Sequence, residues 1–487
     1  MRITIAFIAG ITPALAGAFA ATPAHADSFA KNNADRANEL IAAVVKAHGG
    51  TAGLDSLKTL VVENEDLNHA VGQSRRAEPP WDTNESSGFN AIDLDGRQFV
   101  TEATFEGGGF EGRNGTIVNA AESYQLDFRA GTVAPIAEPD FATTSGPFIR
   151  VTPALLVRTL QDRAANAFFL GEVSISGADY DVIGFSMEVG PAISLYFDRK
   201  SHLLRRSERV LPGVGLVRYD FADYQTVAGI PFNRRFRLYL NGELNIERSN
   251  QSIEVNVPLD ELLTVATGLQ PIPAVEPDPL SRQEVAEGVW LVGGTGTYAM
   301  FVDMGDWLFA AGGTAGIPER IASVREVAGD KPLEYGMLTH HHFDHVLGVA
   351  AYESEGATVI TAEAHEAVAR DSAGDGESVR IKTVDDRMTL EGGGRTIEII
   401  DIGPTAHSEH LLVAWLPEEG ILFEADHFAM PRVGPVPPAV TSTRTFAEAL
   451  RRHELVPKQL LSAHSPKIGT LADLESALAT EPFQARR

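Results

Sequence analysis

The segment Leu338-Thr-His-His-His-Phe-Asp-His-Val-Leu-Gly348 restricts the fold of this chain more than any other stretch. It follows the mostly apolar residues 333–338, which are typical of a buried strand, and residues 346–352 after it are typical of a helix. Open α/β sheets place their functional sites in such loops, at the carboxyl ends of strands. Histidines and an aspartate crowded into this loop therefore indicate a metal site.

The spacing within the loop offers two pairs of ligands. In an extended backbone alternate side chains share a face, so His340 and His342 can hold one metal. Asp344 and His345 follow at the expected helix start, where a carboxylate is electrostatically favoured. One cluster is therefore enough to begin two adjacent sites. The alternatives are a solvated histidine-rich loop and a single structural metal.

Three further residues of ligand type come later in the chain. His407 follows the strand-like residues 396–402, Asp426 ends the apolar run that begins at Ile421, and His464 ends the run that begins at Leu460. Because each lies at the close of a predicted strand, we expect all three to converge on the edge of the sheet that carries the first cluster.

Taken together, these residues resemble the metallo-β-lactamase superfamily, whose His-x-His-x-Asp-His signature corresponds to His340, His342, Asp344 and His345. The resemblance covers residues 283–487. It implies an α/β fold, an αββα sandwich of two sheets packed face to face, with helices outside and metals at one rim.

The resemblance also implies a role for each ligand. His340, His342 and His407 would hold one metal, Asp344, His345 and His464 a second, and Asp426 would bridge both. Zinc is the expected ion at both positions, with iron or manganese as alternatives, since imidazole and carboxylate ligands suit all three. Such a pair can share a hydroxide with a pKa near ~7. Asp344 is the predicted catalytic residue, which would take or relay the proton.

The resulting functional prediction is an exported dinuclear-metal hydrolase that uses a metal-bridging hydroxide to cleave an ester, lactone or thioester-type bond. The true β-lactamases of this superfamily carry cysteine or serine where this chain has Asp426, so a β-lactamase-type amide hydrolase is the alternative. A third interpretation, from another class, is a periplasmic carrier or binding protein for an apolar ligand, with a structural metal site.

Several positions leave the substrate open. Relatives carry an aspartate where residues 309–313 read Phe-Ala-Ala-Gly-Gly, and the surroundings of His407 and His464 also depart from the family pattern. The proline-rich residues 431–438 are expected to select the substrate. Lys467 is expected to be solvated, with a contact to a substrate carboxylate as the alternative.

Residues 27–270 are expected to form a β-rich domain, mainly antiparallel, with a flanking helix over residues 34–48. Asn241-Gly242 favours the type I′ turn of a hairpin. The strings around Tyr196-Phe197-Asp198 and Gly229-Ile-Pro-Phe232 resemble lipoprotein carriers of the LolA-like type, which implies a half-barrel and an apolar ligand or envelope partner. Other histidines are expected at the surface, namely His48, His69, His202, His365 and His453.

The amino-terminal segment and a proline-rich segment complete the predicted division of the chain into domains. Arg2, the apolar residues 3–21 and Ala24-His25-Ala26 are typical of a signal peptide over residues 1–26, cleaved after Ala26, which predicts a periplasmic or secreted protein. An uncleaved anchor is the alternative; no other segment approaches the ~20 apolar residues of a membrane span. Residues 271–282 contain four prolines and are predicted to be a linker.

Charge and cysteine content narrow the function classes. The formal net charge of −26 would repel phosphates, so we expect a small-molecule substrate and no nucleic acid. The chain has no cysteine, which excludes disulfides and thiolate ligands.

Overall fold

The computed structural model describes residues 28–120, 122–373 and 378–483. The predicted signal peptide lies outside the described residues, and its cleavage stays a prediction. Within these ranges, no helix is both long enough and apolar enough to cross a membrane.

In the described part of the amino-terminal half, four α-helices cover one very large sheet. The first begins earlier than predicted because the side chain of Ser28 accepts a hydrogen bond from the Lys31 amide and caps it. Its apolar positions recur at helical spacing and face the sheet, together with those of the helix that begins at Pro153. The helices are α1 (Phe29–Ala47), α2 (Gly50–Ser56), α3 (Phe141–Val151) and α4 (Pro153–Asp162).

The sheet itself has 14 strands and is antiparallel except where β14 joins β6. Two meanders, β1 to β6 and β7 to β13, are joined by the pairing of β1 with β13. The strands are β1 (Thr59–His69), β2 (Thr83–Asp93), β3 (Gln98–Gly107), β4 (Phe110–Val118), β5 (Tyr124–Asp127), β6 (Thr132–Pro135), β7 (Phe168–Ile175), β8 (Ala178–Phe185), β9 (Ile193–Asp198), β10 (Leu204–Leu211), β11 (Gly215–Val227), β12 (Ile230–Leu240), β13 (Glu243–Val255) and β14 (Gln270–Pro271).

The predicted hairpin turn at Asn241-Gly242 is confirmed. Both residues have positive φ, +50° and +94°, as the type I′ turn requires, and they join β12 to β13. The mainly antiparallel character is thus confirmed, with four flanking helices where one was predicted. The likeness to lipoprotein carriers stays a prediction.

The carboxy-terminal half begins its first strand at Ser281, ten residues after Pro271 ends β14. The predicted linker over residues 271–282 stays a prediction as a domain boundary. The strands are β15 (Ser281–Ala286), β16 (Val289–Gly294), β17 (Thr297–Asp303), β18 (Leu308–Ala311), β19 (Leu333–Met337), β20 (Thr358–Ala362), β21 (Ile381–Val384), β22 (Arg387–Gly392), β23 (Arg395–Asp401), β24 (Leu412–Leu416), β25 (Ile421–Glu424) and β26 (Gln459–Ser462).

These strands form a 7-stranded sheet, β15 to β21, and a 5-stranded sheet, β22 to β26. The first is antiparallel up to β18 and parallel beyond it, and the second is parallel only between β25 and β26. The helices are α5 (Ile317–Ala328), α6 (Phe343–Val346), α7 (Val349–Ser354), α8 (Glu366–Ser372), α9 (Thr441–Arg452) and α10 (Leu471–Ala479).

Three layers of core hold this half together. Along β17, Met300 and Val302 point between the two sheets, whereas Ala299 and Phe301 point to the side of α5 and α7. A further core lies between the 5-stranded sheet and the helices α9 and α10. Because β17 is covered on both faces, its sequence is a continuous apolar run rather than an alternating one. The predicted αββα sandwich is confirmed.

Two of the histidines expected at the surface are fully buried, so that expectation was wrong for them. His48 caps the end of α1, where Nδ1 donates to the carbonyl of Val44 at 2.9 Å, and His365 lies behind the metal-ligand loop. A histidine at the end of an amphipathic helix can be drawn inside by a single backbone hydrogen bond, which spacing alone does not reveal.

Candidate metal centre

Each predicted metal ligand lies in a segment that follows a strand, and both sheets of the sandwich contribute. The 7-stranded sheet contributes the loop after β19 and the first turn of α6, and the 5-stranded sheet contributes the ends of β23, β25 and β26. The structure brings all the predicted ligand residues together as two groups whose ligand atoms lie within 4.8 Å of one another: His340, His342, His407 and Asp426, and then Asp344, His345 and His464.

Asp426 lies between the two groups. Its Oδ2 is 3.1 Å from Nε2 of His340 and 2.9 Å from Nε2 of His345, and its Oδ1 is 2.6 Å from Nε2 of His464. The backbone of Asp426 has a left-handed φ of +67°, which aspartate tolerates better than most residues do. One carboxylate therefore contacts histidines of both groups, as a bridging ligand would.

The two groups differ in their access to solvent. In the first group the side chains of His340 and His407 are 0% and 7% exposed, whereas in the second group those of Asp344 and His464 are 35% and 28% exposed. Water and a substrate can therefore reach the centre from the side of the second group.

The ring nitrogens of two histidines have their protons fixed by backbone carbonyls. Nε2 of His342 donates to the carbonyl of Ser74 and Nδ1 of His407 donates to the carbonyl of Gly108, both at 2.9 Å. In the neutral form of each ring, the other nitrogen carries the lone pair that can bind a metal. Within the described residues, Nδ1 of His342 is buried without any partner. Nε2 of His407 faces Nε2 of His340 at 3.2 Å.

The electrostatics of the cluster also suit a cation. Burial lowers the pKa of His340 and of His342 well below the usual value, so these rings are neutral at pH 7. Burial opposes ionisation of Asp426, but the neighbouring His345 and His340 reverse that effect and hold its pKa well below the ordinary range. Burial opposes protonation of His464, but its contact with Asp426 outweighs burial and raises the pKa of His464 to about 9, so a metal must displace that proton. Neutral imidazoles beside an ionised carboxylate, as at His340, His342 and Asp426, are donors that suit a divalent ion.

Sequence reasoning missed that the amino-terminal half reaches this centre. The side-chain amide of Gln73 donates to Oδ1 of Asp344 at 3.0 Å, and the carbonyls of Ser74 and Gly108 orient two of the imidazoles. The run Gly107-Gly108-Gly109 was a usable signal, because consecutive glycines often mark a close approach of backbone. The loop that contains Gln73 carries no recognisable motif.

The histidines outside the ligand set support the loops that carry it. His341 donates from Nε2 to the carbonyl of Ser74 at 2.9 Å and accepts at Nδ1 from His365 at 3.1 Å. His410 contacts the carboxylate of Asp401 at 2.7 Å. These contacts fix the backbone on either side of His340 and His407.

Glu424 and His427 support the turn around Asp426. The buried carboxylate of Glu424 accepts from the amides of His427 and Phe428, and burial raises its pKa to about 7. The ring of His427 donates to the carbonyl of Ala425 and accepts from the hydroxyl of Thr405. Both side chains thus hold the backbone of the turn that carries Asp426.

A cavity of about 350 Å³ opens at the metal centre, with Asp426 and His464 in its wall. Pro437 and Pro438, from the loop predicted to select the substrate, also line it. Lys467 is exposed and is not among the residues that line this cavity.

Comparison with known proteins identifies the fold family. Residues 267–474 match the family model described as the metallo-beta-lactamase superfamily. A search of curated proteins found no match for the chain.

Solved structures of similar fold are metallo-beta-lactamases by name. The enzyme from Pontibacter korlensis is 20% identical with a TM-score of 0.33, and the match covers 41% of this chain and 98% of that chain. The enzyme from Hirschia baltica is 18% identical with a TM-score of 0.32, over 41% of this chain and 96% of that chain. The mono-zinc form of FIM-1 from Pseudomonas aeruginosa is 18% identical with a TM-score of 0.33, and the match covers 41% of this chain and 94% of that chain. Likeness at this level is no guide to the substrate.

Proposed function

Residues 267–474 belong to the metallo-beta-lactamase superfamily, and from this premise we propose that the chain is a dinuclear metallohydrolase that cleaves an ester, lactone or thioester-type bond. We further propose zinc as the metal and export through the signal peptide of residues 1–26. The chemistry rests on seven side chains of the carboxy-terminal half, and the amino-terminal half positions three of them.

The position of Asp426 is the observation that carries the proposal. Its two carboxylate oxygens contact histidines of both groups at 2.6 to 3.2 Å, so the two groups share one anionic ligand. A single structural metal would need only one of the groups. The shared carboxylate instead supports a pair of ions side by side.

The proposed mechanism assigns a task to each residue. Two divalent ions in these groups would acidify a water molecule and polarise the oxygen of the bond under attack. Gln73 holds Oδ1 of Asp344, which leaves Oδ2 facing His345 at 3.4 Å and His464 at 4.0 Å. Asp344 can therefore hold the proton of the attacking water and pass it to the leaving group.

Asp426 also bears on the choice of bond. The carboxylate of Asp426, whose pKa is held well below the ordinary range, would contact both ions and would partly neutralise their charge. The resemblance places such an aspartate in thioesterases, lactonases and phosphodiesterases, and cysteine or serine in the true β-lactamases. We therefore place ester, lactone and thioester bonds ahead of β-lactam amides.

The test begins with the metal content of the chain comprising residues 27–487, measured by plasma mass spectrometry after reconstitution with zinc, manganese or iron. We expect two ions per chain, and loss of one or both in a variant that combines His342→Ala with His407→Ala. The loaded chain is then assayed on ester, lactone, thioester and β-lactam substrates. One ion or none, or turnover of β-lactams alone, would contradict the proposal.

A further inference from the structure

We propose that the substrate carries an uncharged apolar acyl or aryl group, and that this group binds in a groove built jointly by the β3–β4 hairpin and by residues 428–440. The inference rests on the proposed hydrolase function and gives it a substrate class. It also assigns the amino-terminal half a direct part in choosing the substrate.

The groove starts at the metal centre itself. Asp426 and His464 stand at one end of its 350 Å³ cavity, so a bond held at the metals would place an attached group inside it. Apolar side chains dominate the walls. They include Phe105 and Phe110 from the amino-terminal half and Phe428, Ala439 and Val440 from the carboxy-terminal half.

The two phenylalanines of the hairpin form an aromatic wall. Phe105 on β3 pairs with Gly112 on β4, and a Cβ atom on that glycine would lie 2.7 Å from Cζ of the ring. The absence of a side chain at Gly112 therefore allows the ring of Phe105 to lie across the strand. Phe110 is half-buried and packs edge-on against the ligand His407, with ring centroids 5.2 Å apart.

The wall is fixed to the metal domain. The carbonyl of Gly109 accepts from the amide of Ser442 at 2.7 Å, at the start of α9. Arg129 donates to the carbonyl of Ala439 at 2.6 Å, and Glu111 accepts from the amide of Thr441 at 3.1 Å. The hairpin and the opposite wall therefore keep one separation, as a preformed binding site requires.

A second cavity continues the groove away from the metals. It has a volume of about 340 Å³ and shares Asp127, Ala130 and Pro437 with the first. Its other walls include Ile272, Val275 and Val433. Two adjoining cavities with mainly apolar side chains suit an extended chain better than a compact ring.

The charges along the first cavity favour a neutral group. Apart from the proposed ligands, Arg129 is the one permanent cation among the described residues that line it, and it pairs with Glu111 at 3.0 Å. The carboxylate of Asp127 is likewise held, by the amides of Arg129 and Ala130. A substrate carboxylate in this cavity would therefore lack an unpaired cation and would meet two acidic side chains.

The experiment measures kcat/KM of the metal-loaded chain on p-nitrophenyl acetate, butyrate and octanoate. Each buried methylene adds transfer free energy, so we expect kcat/KM to rise at least about tenfold from acetate to octanoate. Phe105→Ala and Phe110→Leu should lower the octanoate-to-acetate ratio several-fold. Gly112→Ala should also change that ratio, because it displaces the ring of Phe105.

Phe168→Ala is the matched control, since this phenylalanine is 62% exposed on the edge strand β7 of the same sheet. It should keep the wild-type ratio. A wild-type chain that prefers acetate, or a folded Phe105→Ala chain with an unchanged ratio, would overturn the inference.

If the wild type hydrolyses no ester, thioester or lactone, the proposed function fails. A binding measurement then tests separately whether the groove is an apolar binding site. The neutral fluorescent probe N-phenyl-1-naphthylamine should then bind the wild type and Phe168→Ala, and bind Phe105→Ala several-fold more weakly. Equal binding by all three, or no binding, would overturn the groove as an apolar site.

Discussion

The side-chain amide of Gln73 donates a hydrogen bond of 3.0 Å to Oδ1 of Asp344, across 271 residues of sequence. The predicted catalytic carboxylate is thus oriented by a loop from the other half of the chain. Partners of metal ligands fix the orientation and basicity of those ligands, so this contact belongs to the working centre.

We expect Gln73→Leu to lower kcat/KM by about tenfold to a hundredfold, the usual cost of losing a residue that orients a metal ligand. The melting temperature should change little, because Gln73 lies in a surface loop. Gln251→Leu is the matched control, since that exposed glutamine donates to Glu65 and Ser249, which lie outside the metal centre. Equal kcat/KM in wild type and Gln73→Leu would remove Gln73 from the mechanism.

Asp344→Asn should abolish nearly all turnover while the chain stays folded. The substitution keeps the size of the side chain and removes the group that holds the proton. Because the side chain is 35% exposed, its loss should cost little stability. Steady-state kinetics measures the turnover of this variant against wild type, and circular dichroism checks that the variant is folded. Substantial turnover with full metal content would assign the proton to another residue.

Two adjacent glycines at the hairpin tip offer a matched pair of substitutions. A Cβ atom on Gly109 would lie 3.0 Å from Cβ of Ser442, whereas one on Gly108 would meet nothing within 4 Å. Both residues have positive φ, so both substitutions strain the backbone to a similar degree. We expect Gly109→Ala to lower both kcat/KM and metal affinity more than Gly108→Ala does. Equal effects would show that the seating of the hairpin on α9 is unimportant.

His48 predicts a dependence of stability on pH that is independent of the metals. Burial lowers its pKa from 6.5 to about 4, so below pH 6.5 the unfolded chain takes up a proton that the folded chain refuses. Its contribution is complete above pH 6.5 and is lost as the pH falls through 4, by about 3 kcal/mol in the limit. We expect the free energy of unfolding to fall less between pH 7 and pH 5 in His48→Leu than in wild type, as measured by urea unfolding of chelator-treated chains. An equal fall in the two chains would show that the burial of His48 does not cause this pH dependence.

Strand ends were predictable from sequence, and so was the convergence of the ligand-type residues that follow them. Each of the runs before His340, His407, Asp426 and His464 is a strand in the structure, because buried strands are short apolar runs with clear ends. The start of α9 at Thr441 has no such signal, because the residue before it, Val440, is not a capping type and no side chain caps the helix.

Contacts between the halves were beyond sequence reasoning. The glycine run at residues 107–109 indicates a close approach of backbone, but neither it nor the residues around Gln73 and Phe105 indicate which loop of a 14-stranded sheet will face the metal loop. That choice depends on the docking of two separately patterned halves, which local periodicity does not encode. The burial of His365 was not predictable for a different reason, since it follows from a contact with His341 within the carboxy-terminal half.

The carbonyl of Ser74 accepts hydrogen bonds from both His341 and His342, and the carbonyl of Gly108 accepts from His407. A peptide oxygen is present whichever residue occupies the position. The amino-terminal loops can therefore diverge in their side chains and still fix which ring nitrogen of each histidine carries the proton. Variation at residues 74 and 108 would then be tolerated wherever the backbone path survives, whereas a one-residue deletion in either loop would be severe. Dependence of this kind leaves little trace in residue identity and appears instead as intolerance to changes in loop length.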